Sequence, residues 1–276
     1  MQLIRFIFYL FLFCFLTVLT QVGGLIFLMS FGTRKFTDRW AKSNLQKTAF
    51  RWAAFLILYS VVSFIIVPRV AKPLGRVPLP ITETRHLQPL NVLTCLLNRN
   101  YVRPAMRELT YEVAENMHAK YSGSRINYLE ANFPFINKFP LLPHLSHNDG
   151  KKLDLSFCYR DAKTNSITND APAFIGYGIC EEPKSDEKNA TLYCENKGYW
   201  QYSYMTWVTP QYSKKDFTFD GNRTRELLNQ FVSQKAIGKI FIEPHLRERL
   251  GLKSRKIRFH GCQAVRHDDH IHVQLK

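Results

Sequence analysis

The chain has 276 residues, with 38 Lys and Arg against 22 Asp and Glu for a formal net charge of +16, and 46% of its residues are hydrophobic. These averages join two parts: residues 1–70 hold eight basic residues and one acid, Asp38, in an otherwise apolar stretch, whereas residues 71–276 carry 30 basic and 21 acidic residues. Such a makeup excludes collagen-like, coiled-coil and fully disordered chains and a polytopic transporter, and it leaves one soluble domain behind an apolar head.

Phe6 to Phe31 is a run of 26 residues without a charge. About 20 suffice for a helix to cross a bilayer, so this run predicts a tilted spanning helix. A cleaved secretory signal would have a shorter apolar region, about 7–15 residues, and a small-residue cleavage site. Trp52 to Pro68 is a second, shorter run, with Trp52 and Tyr59 suited to an interface; its alternative is a re-entrant or interfacial helix. Between the runs, Arg34, Lys35, Arg39, Lys42, Lys47 and Arg51 stand against Asp38, a bias that retains a loop in the cytoplasm and predicts a transmembrane hairpin with both ends outside. Residues 1–70 thus read as a membrane anchor with helices over about 6–31 and 52–68. Residues 71–87 read as a linker, because Lys72 to Pro80 contains Pro73, Pro78 and Pro80 and should extend stiffly, holding the domain off the membrane.

In residues 88–276, Pro104 followed by Met106, Leu109, Val113 and Met117 predicts a helix to about Tyr121, ended near Gly123. Leu227, Leu228 and Phe231 predict another over Thr224 to about Ala236. Lys239 to Ile242 reads as a short strand, and Glu243-Pro244 starts a helix through Leu250. Lys152 to Phe157 and His270 to Leu275 alternate with period two and read as strands. Cys95, Cys158, Cys180, Cys194 and Cys262 include no CxxC pair, and a disulfide from Cys180 to Cys194 would close the polar loop between them.

Five of the nine histidines fall in two clusters, His144 with His147 and His267 with His270 and His272. On a strand, His270 and His272 share a face while Ile271 and Val273 take the opposite one. Gly150 can turn the chain so that His147 leads onto the strand bearing Asp154. A loop histidine, a strand carboxylate and a histidine from a neighbouring strand are three N/O ligands, which leave the fourth position of a tetrahedral zinc open. Basic charge and the His147-Asn148 pair also suggest an HNH-type nuclease, but the aromatic residues do not form a stacking platform among the basic ones, and no nucleic-acid partner is expected.

Ser146-His147 with Gly150 and Asp154 has the S-H-x-x-G-x-x-x-D form, and His267 to Val273 has the H-x-x-H-x-H-V form, of the penicillin-insensitive murein endopeptidases, in the wider group of lysostaphin, D-alanyl-D-alanine metallopeptidases and hedgehog. The chain resembles that family over about residues 90–276: Leu97 to Pro104 looks like the entry to its first helix and Lys239 to Pro244 like its strand-helix corner. The resemblance implies an α+β fold in which a small, mainly antiparallel sheet with surrounding helices carries a zinc site. It implies His147, Asp154 and His272 as ligands of Zn2+, and His270 as general base or transition-state stabiliser beside the metal-bound water. His267 would contact substrate or support the ligands, and Asp268 and Asp269 can orient imidazoles. The implied protein is a membrane-anchored zinc metallopeptidase of the bacterial inner membrane. Its periplasmic domain would hydrolyse D-alanyl-diaminopimelate cross-links in peptidoglycan, without a Ser or Cys nucleophile. Two variants share these features, a D,D-carboxypeptidase or dipeptidase on uncrosslinked stems and a non-catalytic zinc-containing wall-binding protein. Many relatives place an arginine on the substrate carbonyl; the segment before His144 offers only Lys138.

Overall fold

A computed structural model describes residues 2–276 and has a mixed α and β architecture behind an N-terminal apolar helix. In chain order the strands are β1 (Val77–Pro78), β2 (Leu87–Pro89), β3 (Tyr101–Val102), β4 (Ile126–Tyr128), β5 (Lys152–Ser156), β6 (Tyr159–Asp161), β7 (Ile167–Thr168), β8 (Phe217–Phe219), β9 (Ile237–Phe241), β10 (Ile257–Arg258) and β11 (His270–Leu275). Six of them form one sheet in the order β10-β9-β11-β5-β4-β2. Its three central pairs are antiparallel, and the two edge pairs, β9 with β10 and β2 with β4, are parallel.

The alternation in β5 and β11 does not separate core from solvent, since both strands are buried on both faces. Leu153, Leu155, Ile271 and Val273 enter the core beside Met106, Leu109 and Val113 of helix Pro104–Lys120 and Leu227, Leu228 and Phe231 of helix Gly221–Ser233. The polar residues of the other face lie under loops. Helix Pro104–Lys120 matches its predicted span because Pro104 fits a first helical turn and its apolar side chains recur every three or four residues. Helix Gly221–Ser233 starts three residues ahead of the expected Thr224, where the Asp220 side chain caps the Arg223 N–H.

The apolar head departs from the two-helix expectation. The 26-residue run is not one helix: Gln2–Thr20 ends at Gln21, whose φ is +65°, and a second helix, Gly23–Ser30, folds back against it. Gly23 and Gly24 permit the contact, for a Cβ on Gly24 would lie 2.0 Å from the Thr17 Oγ1 and 2.5 Å from the Phe13 carbonyl. The returning chain then reaches Tyr9, whose ring meets Phe27 at 6.0 Å and Phe31 at 5.4 Å, with the Arg34 guanidinium above it. The second long apolar helix runs Asn44–Ala71, well beyond the expected 52–68, from a Ser43 cap and through a π turn at Val62–Ile66 that accommodates Pro68. Gln2–Thr20 and Asn44–Ala71 are each long and apolar enough to cross a membrane.

The 71–87 segment does not hold the domain away from these helices. Val77–Pro78 pairs with Tyr101–Val102, and Arg76 is buried, donating to the Phe133 carbonyl and to Asn137 Oδ1. The domain packs directly on the helices: the Gln21 side chain accepts from the Phe135 and Ile136 N–H groups, Tyr59 donates to the Leu96 carbonyl, and Asn98 donates to Ser63.

Cys194 is bonded to Cys262, not to Cys180, which is a buried thiol. The loop 181–189 needs no disulfide because Arg249 binds both Glu187 oxygens and the Glu182 carbonyl. Helix Ala190–Asn196 is thereby left to carry Cys194 to the segment before β11.

Candidate metal centre

The register between β5 and β11 builds the site. His272 stands opposite Asp154 and His270 opposite Ser156, so strand pairing alone sets an imidazole against a carboxylate. The chain at 129–131 lies along β5 on the other side, exchanging backbone hydrogen bonds with Asp154, and thereby delivers the Ala131 carbonyl. That carbonyl accepts from His147 Nδ1 at 2.6 Å, which leaves Nε2 of the same ring as a lone pair. Gly150, at φ +80°, turns the intervening loop with its Cα against the Arg76 guanidinium; a Cβ there would lie 2.5 Å from Arg76 Nε.

His147 Nε2, Asp154 Oδ1 and His272 Nδ1 form a triangle with edges of 3.2 Å (His147 to Asp154), 3.1 Å (His147 to His272) and 2.8 Å (His272 to Asp154). A tetrahedral zinc with bonds of about 2.0–2.1 Å has ligand-to-ligand edges of about 3.3 Å, so the triangle matches one face after a slight expansion. These residues are only 1–3% exposed, so bulk water solvates the three polar atoms poorly. The Asp154 carboxylate and the His147 lone pair face each other with one His272 nitrogen beside them, a donor set that a cation satisfies. The three residues can therefore hold a metal ion.

The supporting contacts assign different jobs to neighbouring groups. The second Asp154 oxygen accepts from the Tyr177 hydroxyl at 2.9 Å, which holds the carboxylate in its plane. Burial opposes ionisation of Asp154, but the His147 and His270 imidazoles outweigh it and hold the acid well below the usual carboxylate range. His147 is raised, the Asp154 charge overcoming burial, whereas burial dominates at His272 and lowers it to about 4. His270 shares the cavity wall, with Nδ1 2.5 Å from Asp269 Oδ1, while the other Asp269 oxygen accepts from the Gly178 N–H at 2.6 Å. Burial works against charging His270, but Asp269 and Asp154 lift it to about 9.

All five predicted site residues come together. His267 lies beside the triangle, its ring 4.9 Å from that of His270, and its backbone is pinned by Glu243, whose carboxylate accepts from the His267 N–H and whose backbone N–H donates to the His267 carbonyl. Burial, reinforced by His270, His272 and His260, holds His267 well below the usual histidine range. Of the two acids expected to orient imidazoles, only Asp269 binds one within hydrogen-bond distance; Asp268 forms a fork with Arg266. His144 Nδ1 meets Glu130 at 2.6 Å, and Glu130 is paired with Arg99 at 2.7 Å. Lys138 is exposed on a loop and does not line the cavity, a space of about 520 Å³ bounded by Leu142, Leu145, Trp200, Tyr204 and Val265 above the triangle. The Tyr204 hydroxyl is buried in that wall and has no hydrogen-bond partner among the described residues.

Tyr177, Glu130, Tyr204 and the Ala131 carbonyl carry no recognisable spacing relative to the histidines. The one usable signal was Gly176-Tyr177-Gly178, whose flanking glycines adopt φ of +82° and +87° and present the ring between them. No protein-family model matches the chain, and no curated protein matches it.

Proposed function

We propose that this is a membrane-anchored zinc peptidase that hydrolyses peptide cross-links of the D-alanyl-diaminopimelate type in bacterial peptidoglycan. The observation that carries the proposal is the convergence of His147 Nε2, Asp154 Oδ1 and His272 Nδ1 beside the His270–Asp269 pair, at the floor of a cavity large enough for a peptide. Zinc held by His147, Asp154 and His272 would supply Lewis acidity toward a carbonyl and a water of lowered pKa. The remaining groups handle position and protons. Asp269 fixes the His270 ring, and His270 Nε2, on the cavity side, transfers a proton to the leaving amine. Tyr177 holds Asp154, and the Tyr204 hydroxyl is a free donor for the substrate carbonyl, the task for which Lys138 is misplaced. Trp200, Leu142 and Leu145 give the cavity apolar walls that thin the water around the scissile bond.

On this reading the two long apolar helices are the inner-membrane anchor, the basic residues between them stay cytoplasmic, and the domain works in the periplasm. The test is a digest of cross-linked muropeptides by the full-length protein in detergent or nanodiscs. Turnover is expected to stop with a chelator, return with zinc, and vanish in His147→Ala and Asp154→Ala; activity that survives either substitution overturns the metal assignment. Conversion of dimers to monomers identifies an endopeptidase, and loss of a terminal D-alanine from monomers alone identifies a D,D-carboxypeptidase. One zinc per chain with no turnover on any muropeptide would make it a zinc-containing wall-binding protein instead.

A further inference from the structure

We infer that the substrate is a peptide carried on a membrane lipid, cut at the bilayer surface, an inference that rests on the anchored-peptidase reading above. The depth of the domain leads to it. Helix Gln2–Thr20 rises about 28 Å, close to the roughly 30 Å of a hydrocarbon core, so on that reading its Thr20 end lies at the bilayer surface. The domain is seated at that end: Gln21 accepts from the Phe135 and Ile136 N–H groups, while the Leu96 carbonyl and Asn98 grip Tyr59 and Ser63 of helix Asn44–Ala71. Ile65, Ile66 and Val70 of that helix remain exposed. The loops that reach these residues therefore lie at the depth of the bilayer surface.

Those loops are dressed for that depth. Val92, Leu93 and Leu96 flank the Tyr59 contact, and Ile136 flanks the Gln21 contact; with Leu142 and Leu145 they are each 41–58% exposed. Leu142 and Leu145 are also cavity wall. One guanidinium connects that wall to the membrane helices: Arg99 donates from Nη1 to the Leu142 carbonyl and from Nε to the carbonyl of Leu19, next to the end of helix Gln2–Thr20. The Arg99 charge is neutralised there by Glu130. The cavity is thus one side chain removed from the point where the first helix leaves the bilayer, with an apolar rim continuous with the membrane contact. A lipid chain left in the leaflet fits that rim while its peptide head reaches the site.

The test uses the full-length zinc-loaded protein in vesicles. One cross-linked stem peptide is supplied twice, free in solution and attached through its N-terminal end to a long-chain lipid in the same vesicles. We expect kcat/KM at least tenfold higher for the lipid-linked form, and expect that preference to fall toward parity in the double variant Leu93→Glu/Leu96→Glu, which lies outside the cavity. Ile136→Glu, on a separate loop, repeats the test if the double variant fails to retain zinc and its melting temperature. Equal rates on the two forms overturn the inference and leave the peptidase standing. A preference untouched by the glutamates also overturns it, because co-localisation alone then explains the gain. Chelator-sensitive cleavage of neither form overturns both readings.

Discussion

Asp269 and Tyr204 are the side chains whose removal separates support from ligation. Asp269 touches no ligand atom of the triangle, and its two oxygens hold His270 and the Gly178 N–H. On the zinc-peptidase reading, Asp269→Asn should therefore keep zinc at one per chain while lowering kcat about 10–100-fold, the usual cost of removing a partner that orients a site imidazole. Metal analysis beside steady-state kinetics checks this, and loss of zinc would place Asp269 among the groups that hold the ion. Tyr204→Phe removes only an oxygen that has no partner in the resting protein. It should leave melting temperature and zinc content unchanged and lower kcat about 100-fold if the hydroxyl donates to a developing oxyanion. A fall in stability instead would assign it to the fold. At this scale the cluster of His147, Asp154 and His272 was legible through the two motifs the chain shares with the endopeptidases, whereas alternation alone leaves His270 and His272 equal on one face. Tyr177 and Glu130 were not, since they reach the site through pairing of residues far apart in the chain. Asp268 and Asp269 are equivalent as letters and differ only because Arg266 claims the first.

Among the elements, the connection between helix Ala190–Asn196 and the segment before β11 bears the most on shape. Cys194 and Cys262 are 68 residues apart and flank the two stretches, with Trp200 and Tyr204 on one and Gln263 and Val265 on the other, that close the cavity. Loop-closure entropy for such a link is about 4 kcal/mol, so reductant or Cys262→Ser should lower the melting temperature and weaken substrate binding before it affects zinc. The expectation of a bond from Cys180 failed because a polar loop between two cysteines need not be tied at its ends when an arginine grips its middle. Arg249 depresses Glu187 to about 2, its hydrogen bonds outweighing burial. The folded pKa lies below the unfolded value near 4.5, so the pair's stabilisation is complete above about pH 4.5 and is lost as pH falls toward 2. Thermal melts across that range should show a shallower acid limb in Glu187→Gln. The long helix Pro104–Lys120 and strands β5 and β11 were legible from period alone. The edge strands β2 and β10 were not, since two- and three-residue strands carry no period to read.

Taken whole, the molecule divides its charge between two parts. Eight of its basic residues belong to the apolar head, and residues 71–276, with 30 basic and 21 acidic residues, are only moderately positive. The sequence distinguishes these parts cleanly, yet it misplaces their relation: a proline-rich stretch that looks like a spacer is consumed by β1 and by the burial of Arg76. Proline supplies extension equally to a free linker and to a short strand, and only the tertiary partner decides between them.

The fold-back at Gly23 and Gly24 has a further effect, on how the chain would be threaded during synthesis. The end of helix Gln2–Thr20 touches the domain, and its earlier turns lie beside Phe31 and Arg34, so the start of the first helix and the basic segment share one side. On the membrane reading, the first helix is then a signal-anchor inserted with its tail exported and Arg5 retained, and the short helix Gly23–Ser30 dips back without opening a new loop to the outside. A cytosol-dependent reporter fused ahead of Gln2 should be active and one that requires export silent, the opposite of what a simple two-pass hairpin with both ends outside demands.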